Sequence, residues 1–541
     1  MVTERTIINA LIIGASFIIA PFLISSTLSF DYLPTLVFGG LLALLWAFFF
    51  LKETLCIWPL IGGSVAGSLN FLPLPLNATQ VFCILLILYY MTGYVIIRQK
   101  RIKLGKTKFL WPILTVTLVL LYHNHSLNLA VLGGDTEGAK PAYLSYLVVL
   151  AYFCGINLSN PSVRFLSKVP LYCVIAMVIS TIPYVLSTYI PSLAPLLYSV
   201  TDSVNVSAYM ATQTPITASS DADSAIGRLL ALGPLGGTLQ LYLLCRYPIG
   251  TWLRPSRWWV AALSLACFVI VIVSGYRNFI FGFLILTMVG AWCYYSWRSL
   301  VLPAAILIGA FMLLAASSNN LVYLPTNKLP SIAQRSLSFL PGDWDEDAIE
   351  SAKSSDDFRK HIENVYIKEY LRKSPFFGNG FAIDKKEFDA LNAAMLRGEG
   401  SKDDGYLEAQ TYITGKLFHT GWISVYDCVG IIGSIGFVAL AWNVIRTAAH
   451  FIFGPKADRR SPLFPLYVWI MGSALPMMIS YFTVYGDFKE SFMDLCIYAM
   501  VLSQLSDIEN SAEVPVPLSD HKGQVEFGRL SSAQYGYPSR P

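Results

Sequence analysis

Long apolar runs alternate with short polar connections along most of this 541-residue chain. Most runs have the roughly 17–25 residues that a helix needs to cross the hydrocarbon core of a bilayer. Because three of the runs are short, the pattern predicts about 12–14 transmembrane helices. The predicted ranges are 7–29, 33–51, 55–71, 79–97, 109–122, 143–156, 169–190, 226–245, 258–276, 279–295, 300–316, 421–444, 463–484 and 492–505.

One long polar segment, residues 318–420, interrupts this pattern late in the chain. It holds 29 of the 72 formally charged residues (38 basic plus 34 acidic). Within it, Ser354 resembles a helix N-cap, and Phe358, Ile362, Val365, Tyr366 and Leu371 form one apolar stripe at helical spacing. A second helix is predicted from Asp384 to Arg397. We call this segment the cap and expect it to be helical.

The chain therefore divides into four predicted parts. Residues 1–317 carry transmembrane helices 1–11, residues 318–420 form the cap, and residues 421–506 carry helices 12–14. Residues 507–541 contain too few apolar side chains for a core, which predicts a disordered tail. The fold class is an all-α polytopic integral membrane protein with a large helical loop before its last three helices.

Composition supports this class and excludes others. Apolar residues make up 55% of the chain and charged residues 13%, about half the charged share of soluble proteins. A net charge of +4 does not indicate nucleic-acid binding. All nine cysteines lie in apolar runs and none in the cap, so we interpret them as buried small hydrophobic residues.

Basic residues predict the orientation. With the N-terminus inside, the inner connections collect eighteen Lys and Arg residues, and the short outer connections collect four. This distribution satisfies the positive-inside rule. It predicts an outer cap and cytoplasmic N- and C-termini.

Two of the four outer basic residues, Arg228 and Arg277, lie beside apolar runs at the outer membrane face. One interpretation is that each guanidinium reaches the lipid head groups, as long basic side chains do. An arginine at membrane depth otherwise tends to mark a functional anion site. A diphosphate suits such a site, since a guanidinium group binds phosphate through paired hydrogen bonds.

His419 closes the cap at the start of a predicted span, with Tyr426 and Asp427 on the same helix face. One interpretation is a helix-end histidine that is hydrated. The other is a general base with a pKa near neutrality, oriented by a neighbouring carboxylate or tyrosine. Asp427 lies inside an apolar run, where an ionisable group needs a partner or a function.

Metal-dependent chemistry is a further alternative. His123 and His125 have H-x-H spacing, Asp221 and Asp223 form a D-x-D motif, and Asp343, Asp345 and Asp347 form an acidic cluster. Such pairs and clusters in outer loops are usually solvated, and we therefore expect neither a metal nor a cofactor.

Four pieces of the chain together resemble the O-antigen ligase and O-antigen polymerase superfamily of bacterial envelope glycosyltransferases. SGYRNFIFGF is similar to the family's S-x-S-R turn, and RKSPFFGNGF to its P-x-x-G-x-G-F cap motif. Arg359 stands where an arginine precedes that motif, and HTGWISVYDCVGIIG is similar to the H-x-x-x-L-x-x-x-x-x-x-G helix. The resemblance covers roughly 226–440. Thr420 and Tyr276 depart from the family, which leaves ligase and polymerase both open.

The resemblance implies a bacterial inner-membrane enzyme that moves a glycan from undecaprenyl diphosphate to a glycan or lipid-linked acceptor. The implied transfer is metal-independent and inverting. Arg277 and Arg228, helped by Arg335 or Arg359, would neutralise the leaving diphosphate. His419 would deprotonate the acceptor hydroxyl, and Tyr276, Tyr426 and Asp427 would contribute to substrate binding.

Two other classes remain open. A lipid-linked glycan flippase or transporter would also have many spans and buried arginines. It would more often show internal repeats and charged or Gly/Pro-broken pairs near the bilayer midplane, and the sequence indicates neither. A non-catalytic subunit of polysaccharide assembly would explain the cap, but not two arginines at the outer membrane face beside a histidine.

Overall fold

The computed structural model describes most of the chain. The described residues are 54–70, 76–97, 107–123, 136–137, 139–158, 161–204, 229–252, 254–295, 328–340, 343–397, 405–418, 420–455, 457–483 and 485–512. The predicted spans 7–29, 33–51 and 300–316 lie outside these residues.

Within the described residues the protein is mostly helical. The helices α1–α17 are Trp58–Gly62, Ala78–Ile97, Thr107–His123, Ala139–Gly155, Val163–Leu166, Val169–Tyr189, Ala194–Val200, Leu232–Arg246, Trp258–Val273, Arg277–Tyr295, Ser331–Leu337, Glu346–Glu369, Lys385–Leu396, Tyr406–Thr414, Gly421–Phe453, Phe464–Thr483 and Phe488–Ala512. The short strands β1–β4 are Ser68–Leu69, Leu76–Asn77, Thr136–Glu137 and Ile383–Asp384. β1 pairs with β2, and β3 with β4, both antiparallel.

Five helices of the described part are long and apolar enough to cross a membrane. They are Val169–Tyr189, Pro255–Val273, Arg277–Tyr294, Gly421–Phe453 and Phe464–Thr483. On α9, Leu263, Leu265 and Val269 are exposed, which suits a helix surrounded by lipid. All nine cysteines are free and buried, which confirms the interpretation of these residues. The protein is a helical membrane protein.

Most predicted spans in the described part correspond to a helix, and one differs in kind. The predicted helix over 55–71 is wrong, because only Trp58–Gly62 is helical there. The segment nevertheless runs along α6. Trp58 contacts Phe165 just before that helix, Ala66 donates a hydrogen bond to Ser180 within it, and Ser68 donates one to Asp202 beyond it. It consists of one short helix followed by turns and the strand β1, and we call its described residues 54–70 the broken segment.

Helix α15 packs against α3, α16 and α17. Gly436 allows the close approach of α3, since a Cβ there would lie 3.2 Å from the Pro112 carbonyl oxygen. On the other side, Phe437 contacts Tyr481 of α16 and Phe488 of α17. A kink at Gly430, with φ of 61°, divides α15 into a short cap-side part and a long part within the bundle.

The described part of the cap contains α11–α14 and has its own small core. Ile362, Val365 and Tyr366 of α12 pack with Ala409 and Ile413 of α14 and with Phe418 and Ile423. The predicted apolar stripe on α12 is therefore confirmed. The predicted helix start at Ser354 is wrong, because α12 begins at Glu346 and continues through that position.

Two other predicted boundaries can be compared. Helix α13 begins at Lys385, with Asp384 accepting hydrogen bonds from the backbone N–H groups of Lys386 and Glu387 as the N-cap. The tail was predicted to begin at residue 507, but α17 continues to Ala512. The remaining tail residues lie outside the described part.

Candidate functional site: an arginine-lined cavity under the cap

The turn between α9 and α10 places Arg277 at the first position of a 19-residue helix. Gly275 makes this turn possible with φ of 79°, a conformation in which a side chain would be strained. The N-terminus of a helix carries partial positive charge and favours anions. An arginine at this position adds to that charge, so the turn is suited to an anion.

Arg277 lines a cavity of about 360 Å³ between the cap and the membrane bundle. We call it the arginine cavity. It is lined by Gly275, Tyr276, Arg277, Asn278, Phe281, Arg335, Phe339, Asp356, Arg359 and Thr483. Arg335 comes from α11, Arg359 from α12 and Thr483 from the end of α16. The structure thus brings together four residues that sequence reasoning had proposed separately, namely Arg277, Arg335, Arg359 and Tyr276.

Asp356 is the acidic residue among those that line the arginine cavity. Its carboxylate accepts a hydrogen bond from each terminal nitrogen of Arg277, with Nη1–Oδ2 and Nη2–Oδ1 both 3.1 Å. This parallel pair is the geometry in which guanidinium binds carboxylate or phosphate. With three arginines and one aspartate, the charged lining side chains sum to +2. The cavity is therefore electrostatically suited to an anion.

Arg359 lies one helical turn beyond Asp356 on the same face of α12. Partial burial lowers the pKa of Arg359, the Asp356 carboxylate opposes this effect, and the nearby Arg277 adds to it. The guanidinium keeps its charge, because the pKa of arginine starts above 12. Arg359 is therefore a partly desolvated cation beside a second cation, which is electrostatically unfavourable. A bound anion would lower this energy.

The structure places Asp427 and Tyr426 away from the arginine cavity, against the cap. The Asp427 carboxylate is 1% exposed and pairs with the ammonium group of Lys416. It also accepts hydrogen bonds from Asn379 Nδ2 at 2.8 Å and the Tyr366 hydroxyl at 3.2 Å. We call these four residues the latch. The Tyr426 hydroxyl donates to the Leu371 carbonyl oxygen at 2.9 Å.

The latch explains why Tyr366 is a hydrogen-bond donor. Burial raises the pKa of Tyr366, and the neighbouring Asp427 carboxylate raises it further. The phenol therefore stays protonated at neutral pH and donates its proton to Asp427. In this structure the polar atoms of Asp427 and Tyr426 hold the cap to α15, and their predicted part in substrate binding remains untested.

The cap motif at residues 375–381 inserts into the kink of α15. The backbone N–H groups of Ile431 and Ile432 donate to the carbonyls of Pro375 and Phe376, and Gly380 N–H donates to Cys428. Gly378 has φ of 75°, and a Cβ there would lie 2.6 Å from the Gly430 nitrogen. The glycines of the motif are required because two backbones meet without room for side chains.

Arg228 and His419 lie outside the described residues. Beside Arg228, Leu230 N–H donates to the Tyr184 hydroxyl on α6. Beside His419, Gly421 begins α15 against the Tyr481 backbone, two residues before the cavity-lining Thr483. The prediction that Arg228, Arg277 and His419 share one cavity is therefore not tested, and of the three only Arg277 is placed.

The acidic and histidine alternatives can be partly located. In the described part of the chain no group of three His, Cys, Asp or Glu residues is placed to hold a metal. Asp345 accepts a hydrogen bond from Gln334, and His123 Nε2 lies 2.7 Å from the Phe377 carbonyl oxygen. His125, Asp221 and Asp223 lie outside the described residues.

Sequence reasoning missed two acidic residues near these features. Asp356 had been considered only as part of a helix start, although its i, i+3 spacing to Arg359 indicates a shared helix face. Asp494, inside the last predicted span, was not considered, although an acid within an apolar run is itself a signal.

No protein-family model matches the chain, and no curated protein matches it.

A prediction for the latch follows from its burial. Breaking a buried ion pair by removing one partner typically costs about 3–5 kcal/mol, because the other charge is left unpaired. We expect Asp427→Ala to lower the unfolding temperature in detergent and to speed proteolysis of the cap. Asp389→Asn, at an exposed site on α13, is the control. Unchanged unfolding and proteolysis in Asp427→Ala would mean that the latch does not hold the cap.

Proposed function

We propose that this protein is an O-antigen ligase-like or polymerase-like glycosyltransferase, which moves a glycan from undecaprenyl diphosphate to an acceptor hydroxyl. The observation that carries the proposal is the convergence of Arg277, Arg335 and Arg359 on one cavity between membrane bundle and cap. The position of the cavity at the membrane surface and its positive charge both suit a diphosphate. The cavity would face the outer side of the bacterial inner membrane.

In the proposed reaction the acceptor oxygen attacks the anomeric carbon, and the bond from that carbon to the diphosphate oxygen breaks. The electron pair leaves with the diphosphate, so negative charge grows where the arginines lie. Such charge stabilisation is often the largest catalytic contribution. A single displacement inverts the anomeric configuration, and diphosphate needs no general acid to leave.

His419 would take the acceptor proton as the new bond forms. The proposal places it beside the arginine cavity because Gly421 packs against Tyr481, close to Thr483. Arg228 would add a further positive charge from the segment before α8. Tyr276 would contact the donor, since it lines the cavity next to Arg277.

The test of the proposed function is glycan transfer by the purified protein in proteoliposomes that contain the undecaprenyl-diphosphate-linked donor. We expect transfer to continue in EDTA, since arginines rather than a metal would neutralise the diphosphate. Loss of transfer in EDTA with recovery in Mg²⁺ or Mn²⁺ would instead favour Asp221, Asp223 and the acidic cluster at 343–347. Absence of transfer with every donor would contradict the proposal.

The Asp356 pair gives a separate prediction about binding. The Asp356 carboxylate occupies the guanidinium fork that a phosphate group would take, so the two anions compete for Arg277. At a partly exposed site such a pair is worth about 1 kcal/mol or less. We expect Asp356→Asn to bind inorganic pyrophosphate several-fold more tightly by calorimetry.

The matched control is Asp357→Asn, which makes the same change in net charge at the next residue, an exposed position that does not line the cavity. Equal tightening in both variants would show a long-range charge effect. In that case Asp356 does not compete for the site.

The transporter alternative gains one specific observation, namely that the broken segment lines an intramembrane cavity. Interrupted helices line the substrate sites of many transporters. The distinguishing measurement is movement of the lipid-linked donor across the bilayer. Translocation without transfer would favour the alternative.

A further inference from the structure

A second cavity, of about 480 Å³, lies deeper in the membrane bundle. It is lined by the central parts of three candidate spans: Met177 of α6, Gly282 and Leu286 of α10, and Gly472 and Ser473 of α16. Helices α8 and α17 and the broken segment at 59–64 complete the wall. The cavity is therefore at bilayer depth.

Asp494 of α17 lines this cavity, which we call the Asp494 cavity. Among its lining residues, Asp494 is the acidic one and none is basic; Tyr498, paired with Ser473, is the other titratable group. No hydrogen bond or ion pair to the Asp494 carboxylate comes from the described residues. Ser64 and Thr238 add neutral oxygen atoms to the lining.

The backbone beside this cavity is also unusual. Helix α1 ends at Gly62, and the chain continues past Gly63 and Ser64 without helical structure. At membrane depth such backbone is tolerated only where it is buried in protein or lines a water-filled cavity, since its polar groups have no partner in lipid. The N–H groups of Gly63 and Ser64 donate to the carbonyl oxygens of Pro59 and Ile61, so only carbonyl oxygens of this turn could serve a cation, as those of unwound backbone do in transporters.

An acidic row connects the cavity with the cap side. Asp487, Glu490 and Asp494 follow i, i+3, i+7 spacing at the start of α17, so they share one helix face. Adjacent members of the row interact electrostatically. Tyr485, two residues before Asp487, interacts electrostatically with Arg359 of the arginine cavity. Lys489 lies close enough to Glu490 to offset part of this charge, so the row is a line of carboxylates from the cap side towards Asp494 with one basic neighbour.

We propose that the Asp494 cavity is an intramembrane binding site for a small monovalent cation, either a proton or an alkali ion such as Na⁺. An unpaired carboxylate at this depth is costly, and one positive charge balances one carboxylate. A divalent ion would normally have more carboxylates. At about 30 Å³ per water molecule, the cavity has room for an ion together with water.

Labelling with a hydrophobic carbodiimide tests the proposal on the full chain in nanodiscs. The protonated carboxyl adds across a C=N bond of the reagent: the proton goes to nitrogen and the oxygen bonds to carbon, which leaves an adduct detectable by mass spectrometry. We expect an adduct on Asp494. A proton site predicts labelling that falls about tenfold per pH unit above its pKa, without an effect of alkali ions. A Na⁺ site predicts protection by NaCl relative to choline chloride.

Thermal unfolding provides a second readout. Ion binding to the folded state raises the unfolding temperature with ion concentration. Asp494→Asn should abolish labelling and any ion response. Gly282→Leu should do the same by filling the cavity, since a Cβ at Gly282 meets nothing within 4 Å. Glu509→Gln, near the other end of α17, should behave as the unmodified protein.

The proposal is overturned if Asp494 of the unmodified protein is not labelled at any pH and the unfolding temperature does not respond to any alkali ion. It is also overturned if Asp494→Asn keeps the full response. Neither measurement uses glycan transfer, so the outcome is independent of the proposed function.

Discussion

Arg277→Lys is expected to lower glycan transfer about 10²–10³-fold, the usual loss when one preorganised charge-stabilising group is removed. Lysine keeps the positive charge but lacks the planar fork that forms two parallel hydrogen bonds. In the structure both terminal nitrogens of Arg277 are already used in this way, by Asp356. A point charge on a flexible stem cannot reproduce that contact with a phosphate group.

The measurement is transfer in proteoliposomes, alongside binding of inorganic pyrophosphate. Arg397→Lys is the matched control, because Arg397 is exposed beyond α13 and does not line the arginine cavity. If Arg277→Lys transfers at the unmodified rate, Arg277 serves only to hold the cap through Asp356. Weakened transfer in both variants would indicate a general effect on folding.

The sequence predicts where most helices lie, because crossing a bilayer requires a continuous apolar stretch. Boundaries are less predictable where a helix continues into polar residues. Helix α15 was predicted to end at 444 and ends at Phe453, and α17 was predicted over 492–505 and spans Phe488–Ala512. A helix can continue through polar residues when they pack against a neighbouring helix. Hydropathy alone does not predict this continuation.

The error at 55–71 has a different cause. Hydropathy measures apolar content, which the broken segment has, but it does not distinguish a continuous helix from an interrupted one. Gly63 and Gly67 are the local indication, since glycine weakens a helix and Gly67 adopts φ of 81°. Whether such residues break a helix depends on tertiary partners, here Ser180 and Asp202.

The candidate site was partly predictable for a similar reason. Arg277 could be identified because a basic residue on the predicted outer side of an apolar run is locally unusual. The proximity of Arg277 to Arg335 and Arg359 could not be predicted, since these residues are 58 and 82 positions further along the chain. Only the docking of the cap on the bundle brings them together.

Asp427 shows the limit of helix-face reasoning. Its position inside an apolar run indicated that this carboxylate needs a partner or a function, and the structure gives it partners. The partners are Lys416, Tyr366 and Asn379, which reach it because the cap motif enters the kink at Gly430. Spacing along α15 indicates which residues share a face but not which part of the cap covers it.

His419→Ala is expected to lower the rate of transfer about 10²–10⁴-fold, the range typical of losing a general base. Donor binding should be largely kept, because the arginines that would bind diphosphate remain. The loss should therefore appear in kcat rather than in KM for the donor. Added imidazole should restore part of the rate, since a free base can occupy the space left by the side chain.

His450→Ala is the matched control for this prediction. His450 is also on the last part of the chain but lies in the final turn of α15, on the order of 30 Å beyond the kink at Gly430 at 1.5 Å per residue. It should transfer at the unmodified rate. If His419→Ala also keeps that rate, His419 is a hydrated helix-end residue. A general base must then be sought elsewhere around the arginine cavity, and Asp356 is the described carboxylate already in its wall.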